Sequence, residues 1–402
     1  MTFWWILYII DGITFFFVAL TVLYILVFSI ASMFSKQAEL VRSKHQNRFI
    51  VIIPSYKLGT AVIQSVSSIL SQTYHQRLFD VIVVSDHEDE IINMKLAQSP
   101  ITLLTPNFEK SSKAKSLQYA ILNLPQFKIY DGVVVLDGGN VVEPEFLEQI
   151  NDAYEMAGTK VIQVHRLSKN RDTSIARLDT LFEEINNSIF RRGHTVLGLS
   201  AALNGSGIVY DFEWFKSHIM KVKTAGEDKE LEAMIVSEDI FIDYFDNIYV
   251  FDEKTRTQTD FNEQRRRWAS TQLHAMLTNL RYLPHAVFNR RYDHLDKIIQ
   301  WIIIPRTIMM GLIILMSCVL PFVYFSLAIK WWVASALALL AFSFATPDRL
   351  VDRHWDRDFL NAPFVISWGL LNIVRIGYGE LVHQSKNLFN HIHHLIKSSH
   401  SA

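Results

Sequence analysis

Residues Gly12 to Ser35 form 24 consecutive uncharged positions rich in Phe, Leu, Val and Ile. A helix needs about 20 such residues to cross a hydrocarbon core of ~30 Å. A cleavable leader would have an apolar stretch of only about 7–15 residues behind a basic start. No Lys or Arg precedes this run, and no small-x-small cleavage site follows it. The run is read as an uncleaved membrane anchor within residues 1–35, with Asp11 at its outer edge. Two further runs, Thr307–Ile329 and Trp331–Pro347, hold 23 and 17 uncharged residues and are parted only by Lys330. They predict a membrane hairpin within residues 291–347, with Lys330, Trp331 and Trp332 at an interfacial turn. A fourth stretch, Phe359–Val374, is broken by Asn361, Pro363 and Gly369. It suits an interfacial helix in a cytoplasmic tail, residues 348–402, better than another span. The His391-Ile-His-His-Leu tract reads as the polar face of such a helix rather than a metal site.

Basic residues set the orientation. Lys36, Arg42, Lys44 and Arg48 follow the first run, and Arg349, Arg353 and Arg357 follow the third. The positive-inside tendency therefore predicts a multi-pass protein of the inner cell membrane, with residues 36–290 in the cytoplasm. The chain carries 39 basic and 40 acidic residues, so no overall field draws it to nucleic acid. Its single cysteine, Cys318, excludes an intrachain disulfide and any multi-cysteine metal site.

The middle of the chain alternates short apolar runs with amphipathic ones. Phe49–Ile53, Val81–Val84, Gly132–Leu136 and Lys160–Val164 lack the period of two expected of half-exposed strands. Such runs fit parallel strands buried on both faces. Helical patterns at Ala61–Gln72 and Ser112–Leu122 lie between them, which predicts an α/β layer with a mostly parallel sheet. Ligands in such sheets bind at the carboxyl ends of the strands. Three of the runs end in Pro54-Ser55-Tyr56, Ser85-Asp86 and Asp137-Gly138-Gly139-Asn140. No GxGxxG and no GxxxxGK[ST] is present, so neither a dinucleotide fold nor a P-loop is supported.

Seven segments occur in a characteristic order: VIIPSY (51–56), FDVIVVSD (79–86), EKSSKAKSLQYAI (109–121), VVVLDGGNVVEPEFL (133–147), GSG (205–207), GEDKELE (226–232) and QRRRW (264–268). In this set, over about residues 48–285, the chain resembles the membrane-bound family 2 glycosyltransferases of the GT-A fold, the group that includes cellulose and hyaluronan synthases. The resemblance implies an inverting transfer of a sugar from a UDP- or GDP-linked donor. The acceptor would be a polysaccharide or lipid-linked hydroxyl at the cytoplasmic membrane face, in envelope or exopolysaccharide synthesis. It implies donor contacts from Pro54, Ser55, Tyr56, Asp86, Lys113 and Asp137, and an acceptor-side loop at Gly205, Ser206 and Gly207. It assigns the base to Asp228 beside Glu227, and places Gln264, Arg267 and Trp268 under the active site. Mg²⁺ or Mn²⁺ on Asp137 is also implied, but the family's second Asp is Gly139 here, leaving Asn140 as an alternative oxygen donor.

Each residue also has a plainer reading. Asp137 can be a turn or helix-capping carboxylate, and Glu227, Asp228, Glu230 and Glu232 can simply favour a helix N-terminus. Ser237-Glu238-Asp239 repeats the Glu-Asp pair, but the IFIDYF run after it suits a structural edge. Lys113 and Lys115 do not share a helix face, so one of them, Lys113, is expected to reach phosphate. Arg265 and Arg266 are expected at lipid headgroups. His165-Arg166 and Lys169-Asn170 follow the fourth strand near the cleft, where a phosphate contact is open. Glu183, Glu184, Arg191 and Arg192 are expected on a solvated helix face, with the lining of an acceptor path as the alternative. Two other functions stay open: a catalytically degenerate partner subunit, which Gly139 would mark, and a membrane nucleotidyltransferase. Three spans are few for a self-contained glycan conduit, which leaves single addition or an oligomer open.

Overall fold

The computed structural model describes residues 2–36, 39–125 and 127–350. The Phe359–Val374 stretch, the His391 tract, Arg353 and Arg357 lie outside the described residues. Eight strands form one sheet: β1 (Phe49–Tyr56), β2 (Phe79–Asp86), β3 (Thr102–Leu104), β4 (Gly132–Val135), β5 (Val141–Val142), β6 (Val161–Ser168), β7 (Ile208–Asp211) and β8 (Ile242–Asp252). Their order is β3-β2-β1-β4-β7-β6-β8-β5. β1 to β4 run parallel, as do β6 and β8. β7 runs antiparallel to both its neighbours, β4 and β6.

The four expected strands are all present, and the reason for their unbroken apolar runs is visible. Phe49, Val51 and Ile53 of β1 enter one core, packed with Val62, Val66 and Ile69 of the Thr60–Leu70 helix. Ile50 and Ile52 enter the other, with Ala114, Leu117 and Ile121 of the Lys113–Leu122 helix. A strand covered on both faces has no polar side to alternate. The register pairs Tyr56 with Asp86 and Ile52 with Val135, which brings the ends of β1, β2 and β4 to one edge of the sheet. Between β6 and β8 the register shifts at Val164/His165, where the ladder is interrupted.

Among the described residues three helices are long and apolar enough to cross a membrane: Leu7–Met33, Arg306–Val323 and Phe325–Ala345. Two features differ from expectation. The hairpin turns at Tyr324, whose extended backbone (φ −157°, ψ 94°) separates the two helices shortly after Pro321. Lys330 and Trp331 therefore lie inside the last helix rather than at the turn. Asp11 is inside the first helix and only 2% exposed. It accepts from Trp331 Nε1 at 2.8 Å and pairs with Lys330, so the charges neutralise each other between helices. Lower down, the first helix packs on the Ser188–Gly193 segment. A Cβ at Gly193 would stand 2.2 Å from the Phe28 carbonyl oxygen, so only glycine permits this approach.

Candidate active site

The floor of the cleft is the loop that leaves β4. Asn140 is buried and its side-chain oxygen accepts from the Asp137 backbone N–H at 3.2 Å and from the Ser206 hydroxyl. Its amide donates to Asp252 Oδ1 at 3.0 Å. Ser206 in turn accepts from the Asp137 N–H at 3.0 Å, which fastens the 205–207 loop to the end of β4. A Cβ at Gly138 would meet the Pro54 carbonyl at 2.9 Å and Ser55 Oγ at 3.3 Å, so this glycine lets the loops after β1 and β4 touch. Ser55 donates to Glu88 Oε1 at 2.7 Å. Glu88 also accepts from the N–H groups of Leu58 and Gly59, at 2.6 and 2.9 Å, and so shapes the loop bearing Tyr56. Asp86, buried at the end of β2, lies 2.6 Å from His87 Nδ1, while Tyr56 is exposed above them.

Lys113 is the first residue of its helix, behind the Ser112 cap. Its ammonium donates to Asp137 Oδ1 at 2.5 Å and to the Gly205 carbonyl, and lies 3.5 Å from Glu227 Oε1. Lys115 instead donates to the Lys110 carbonyl at 2.6 Å, as the helical spacing requires. Glu227 and Asp228 open the Glu227–Ser237 helix. A Cβ at Gly205, whose φ is +86°, would lie 3.6 Å from Lys113 Nζ and 4.0 Å from Asp228 Oδ2. The ammonium and this half-buried carboxylate thus border the same glycine.

Burial lifts the Glu227 carboxyl to about 7; Lys113 opposes the rise, while Asp228 and Asp137 add to it. Burial lowers the Lys113 ammonium, but Asp137, Glu227 and Asp228 together bring it above the ordinary lysine value. The partners respond differently because Lys113 is shared by three carboxylates, whereas Glu227 has one shared cation against two like charges.

The donor set fits a divalent ion poorly. Asp137 is the one carboxylate on the loop, and Lys113 already occupies Oδ1 while Arg166 stands 4.0 Å from Oδ2. Gly139 brings no carboxylate, and the Asn140 oxygen expected to compensate is spent on Asp137 and Ser206. Among the described residues no group of three His, Cys, Asp or Glu is gathered as a metal site.

Residues 45–271, more than half of the chain, match the model of the glycosyltransferase-like family 2. The chain belongs to this family. Its fold is GT-A, as expected. Among solved structures, a mannosyltransferase from Pyrobaculum calidifontis, in complex with GDP-Man and Mn²⁺, superimposes with TM-score 0.51 at 11% identity. That match covers 82% of this chain and 98% of the other. TarS 1–349 of S. aureus, in complex with UDP-GlcNAc, gives TM-score 0.41 at 16% identity, covering 75% of this chain and 82% of that one. No curated protein matches the sequence.

Behind the cleft, this glycosyltransferase holds charges that the sequence placed elsewhere. Glu183 is 3% exposed and lies 2.9 Å from Arg166, 3.5 Å from Arg191 and 3.7 Å from Lys254. Burial pushes its carboxyl up, but Arg166, Lys254 and Arg191 hold it well below the ordinary glutamate value. Glu184 and Arg191 are also buried, so the expected solvated face is an ionic core. Reading from composition missed this because charged residues count as surface unless their partners are known.

The Gln258–Asn279 helix carries Gln264, Arg267 and Trp268. Arg267 and Trp268 are exposed, and Gln264 buries its side-chain oxygen without a hydrogen-bond partner. Arg265 is not at a headgroup surface. It pairs with Asp179 at 2.6 Å and lies over the rings of Phe182, Phe261 and Trp268, at 5.1, 4.7 and 4.4 Å. Arg266 is exposed. This helix approaches the acids closely, because a Cβ at Gly226 would stand 2.3 Å from Thr271 Cγ2. Asp239, the second of the repeated pairs, lies away from this group and binds Arg291 at 2.5 Å.

Proposed function

We propose that this glycosyltransferase moves a sugar, with inversion, from a nucleoside-diphosphate donor to a hydroxyl of a glycan or lipid-linked acceptor at the cytoplasmic face of the cell membrane. The observation that carries the reading is the meeting of Lys113 and Asp228 at Gly205, beside the carboxyl ends of β1, β2 and β4. Asp228 is half-buried and takes the acceptor hydroxyl's proton as that oxygen attacks the anomeric carbon. The new C–O bond forms as the bond to the diphosphate breaks, and the electron pair leaves with the phosphate. Lys113 neutralises that charge from a fixed position. One carboxylate suffices for inverting transfer, so Glu227, buried and 3.5 Å from the Lys113 ammonium, is assigned to holding Lys113 rather than to the base.

Pro54, Ser55, Tyr56 and Asp86 would take the base and ribose, Gly205–Gly207 the acceptor side, and Gln264, Arg267 and Trp268 the lower rim. The nucleotide sugars named in the two related structures, GDP-Man and UDP-GlcNAc, support a donor of this class. Three apolar helices and the basic residues Lys36, Arg42, Lys44 and Arg48 support a membrane protein with a cytoplasmic catalytic domain. The test is release of nucleoside diphosphate from a panel of UDP- and GDP-sugars by the purified chain. Asp228→Asn is expected to slow release by about 10²–10⁴-fold. Pyrophosphate release would indicate nucleotidyl transfer. No turnover with any donor, together with full complementation in cells by Asp228→Asn, would indicate a partner subunit.

A further inference from the structure

The loop after β4 is surrounded by cations. Lys113 Nζ occupies Asp137 Oδ1 at 2.5 Å. Lys169 Nζ donates to the Gly139 carbonyl at 2.9 Å, at the residue where the second carboxylate is missing. Arg166, with its side chain 8% exposed, stands beneath, 4.0 Å from Asp137 Oδ2, paired with Glu183 at 2.9 Å and with Asp252 at 3.8 Å. Three cationic side chains therefore flank the loop; Arg166 is also paired with Glu183 and Asp252, and Lys113 is shared with Glu227, which leaves Lys169 as the cation bound to the loop alone. A divalent ion placed on Asp137 would add two more charges to this group and meet the Lys113 ammonium at contact distance, where like charges repel strongly in a partly buried site.

The same arrangement suits an anion. A diphosphate needs cationic N–H donors fixed in place before it arrives, and charge-assisted hydrogen bonds of this kind are the stronger class. Lys113 is held by its helix position, by the Gly205 carbonyl and by Glu227, so little side-chain freedom remains to be lost. Lys169 is exposed and reaches the opposite side of the loop. Space at Gly139 is open: a Cβ there would have no neighbour within 4 Å, which leaves room for phosphate oxygens.

We propose that the donor diphosphate of this transferase is neutralised by its own side chains, Lys113 and Lys169 on the two sides of the Asp137–Asn140 loop with Arg166 beneath, in place of a divalent metal ion. The inference rests on the nucleotide-sugar reading given above. It also accounts for the loss of the second carboxylate, because that acid would cancel the charge that Lys169 supplies.

The full chain in detergent micelles is titrated with UDP and with GDP by calorimetry, in EDTA and in Mn²⁺. Affinity for the nucleotide that binds is expected to differ by less than about threefold between the two conditions. Lys113→Gln and Lys169→Gln are each expected to weaken binding in EDTA by about tenfold. Lys169 is on the surface, so its variant keeps the test valid if Lys113→Gln fails to fold. Gly139→Asp with Lys169→Gln is expected to gain Mn²⁺ binding in the presence of nucleotide, read by electron paramagnetic resonance, where the unmodified chain shows none. A loss of more than about tenfold in EDTA, Mn²⁺ held by the unmodified chain, or unchanged affinity in Lys169→Gln would overturn the proposal and leave the transferase reading intact. Binding of neither nucleotide in either condition would defeat both.

Discussion

Replacing Glu227 by glutamine keeps the shape of the side chain and removes a charge from a position only 6% exposed. The groups facing it are Lys113 at 3.5 Å, Asp228 and Asp137. Its carboxyl is raised from 4.5 to about 7, so the folded protein holds this proton more tightly than the unfolded chain does. Below pH 4.5 the carboxyl is protonated in both states and has no effect on stability through this linkage. As pH rises from 4.5 to 7 the unfolded chain releases the proton first, and stability falls by about 1.4 kcal/mol per pH unit. Above 7 the loss is complete, about 3 kcal/mol in total. Glu227→Gln removes this dependence. Its melting temperature relative to the parent protein is therefore expected to rise between pH 5 and pH 8. At roughly 2–4 °C per kcal/mol for a domain of this size, the gain is about 5–10 °C. Thermal melts in detergent, followed by tryptophan fluorescence at both pH values, measure it. The difference between the two proteins isolates Glu227 from every other group that titrates in that range. A variant less stable than the parent at pH 8 and equal to it at pH 5 would refute the reasoning. It would mean that the Lys113–Glu227 attraction outweighs the burial of the charge.

Gly226→Ala forces the helix bearing Arg267 and Trp268 away from the two acids, and is expected to cost about 1–3 kcal/mol and to slow turnover. Adding Thr271→Ser removes the methyl group in conflict and should restore both; melts and nucleoside diphosphate release on the single and double variants decide it. Gly193→Ala sets a Cβ against the Phe28 carbonyl, which cannot rotate away as a side chain would. It should separate the first membrane helix from the catalytic domain and lower the yield of folded protein, seen as lost monodispersity on size exclusion, while Gly139→Ala, facing open space, should not.

Much of the scaffold was legible because burial on both faces leaves a trace in one dimension. β1, β2, β4 and β6 stand out as apolar runs, and the three helices long and apolar enough to cross a membrane as longer ones. β3, β5 and β7, at two to four residues, are too short to show a period. Lys113, Asp137, Gly205, Glu227 and Asp228 were recognisable as a set, because their chemistry and order along the chain are local properties. Which of them touch was not. Lys113 rather than a metal on Asp137, the Asn140 oxygen turned to Ser206, and Glu88 bracing the Tyr56 loop all depend on distances between separate segments.

The long apolar helices divide in the same way: hydropathy marks them, but the turn at Tyr324 and the pairing of Lys330 with Asp11, 319 residues away in the chain, do not show in it. The ionic core of Arg166, Glu183, Arg191 and Lys254 is the strongest case, since each residue alone reads as surface. The sequence by itself determined the α/β layer and the long apolar helices, which rest on local hydropathy, and the ordered motifs that carry the family resemblance and its candidate site residues. Tertiary structure alone decided the pairing of the charges, because a buried ion is tolerated only where a distant segment delivers its partner.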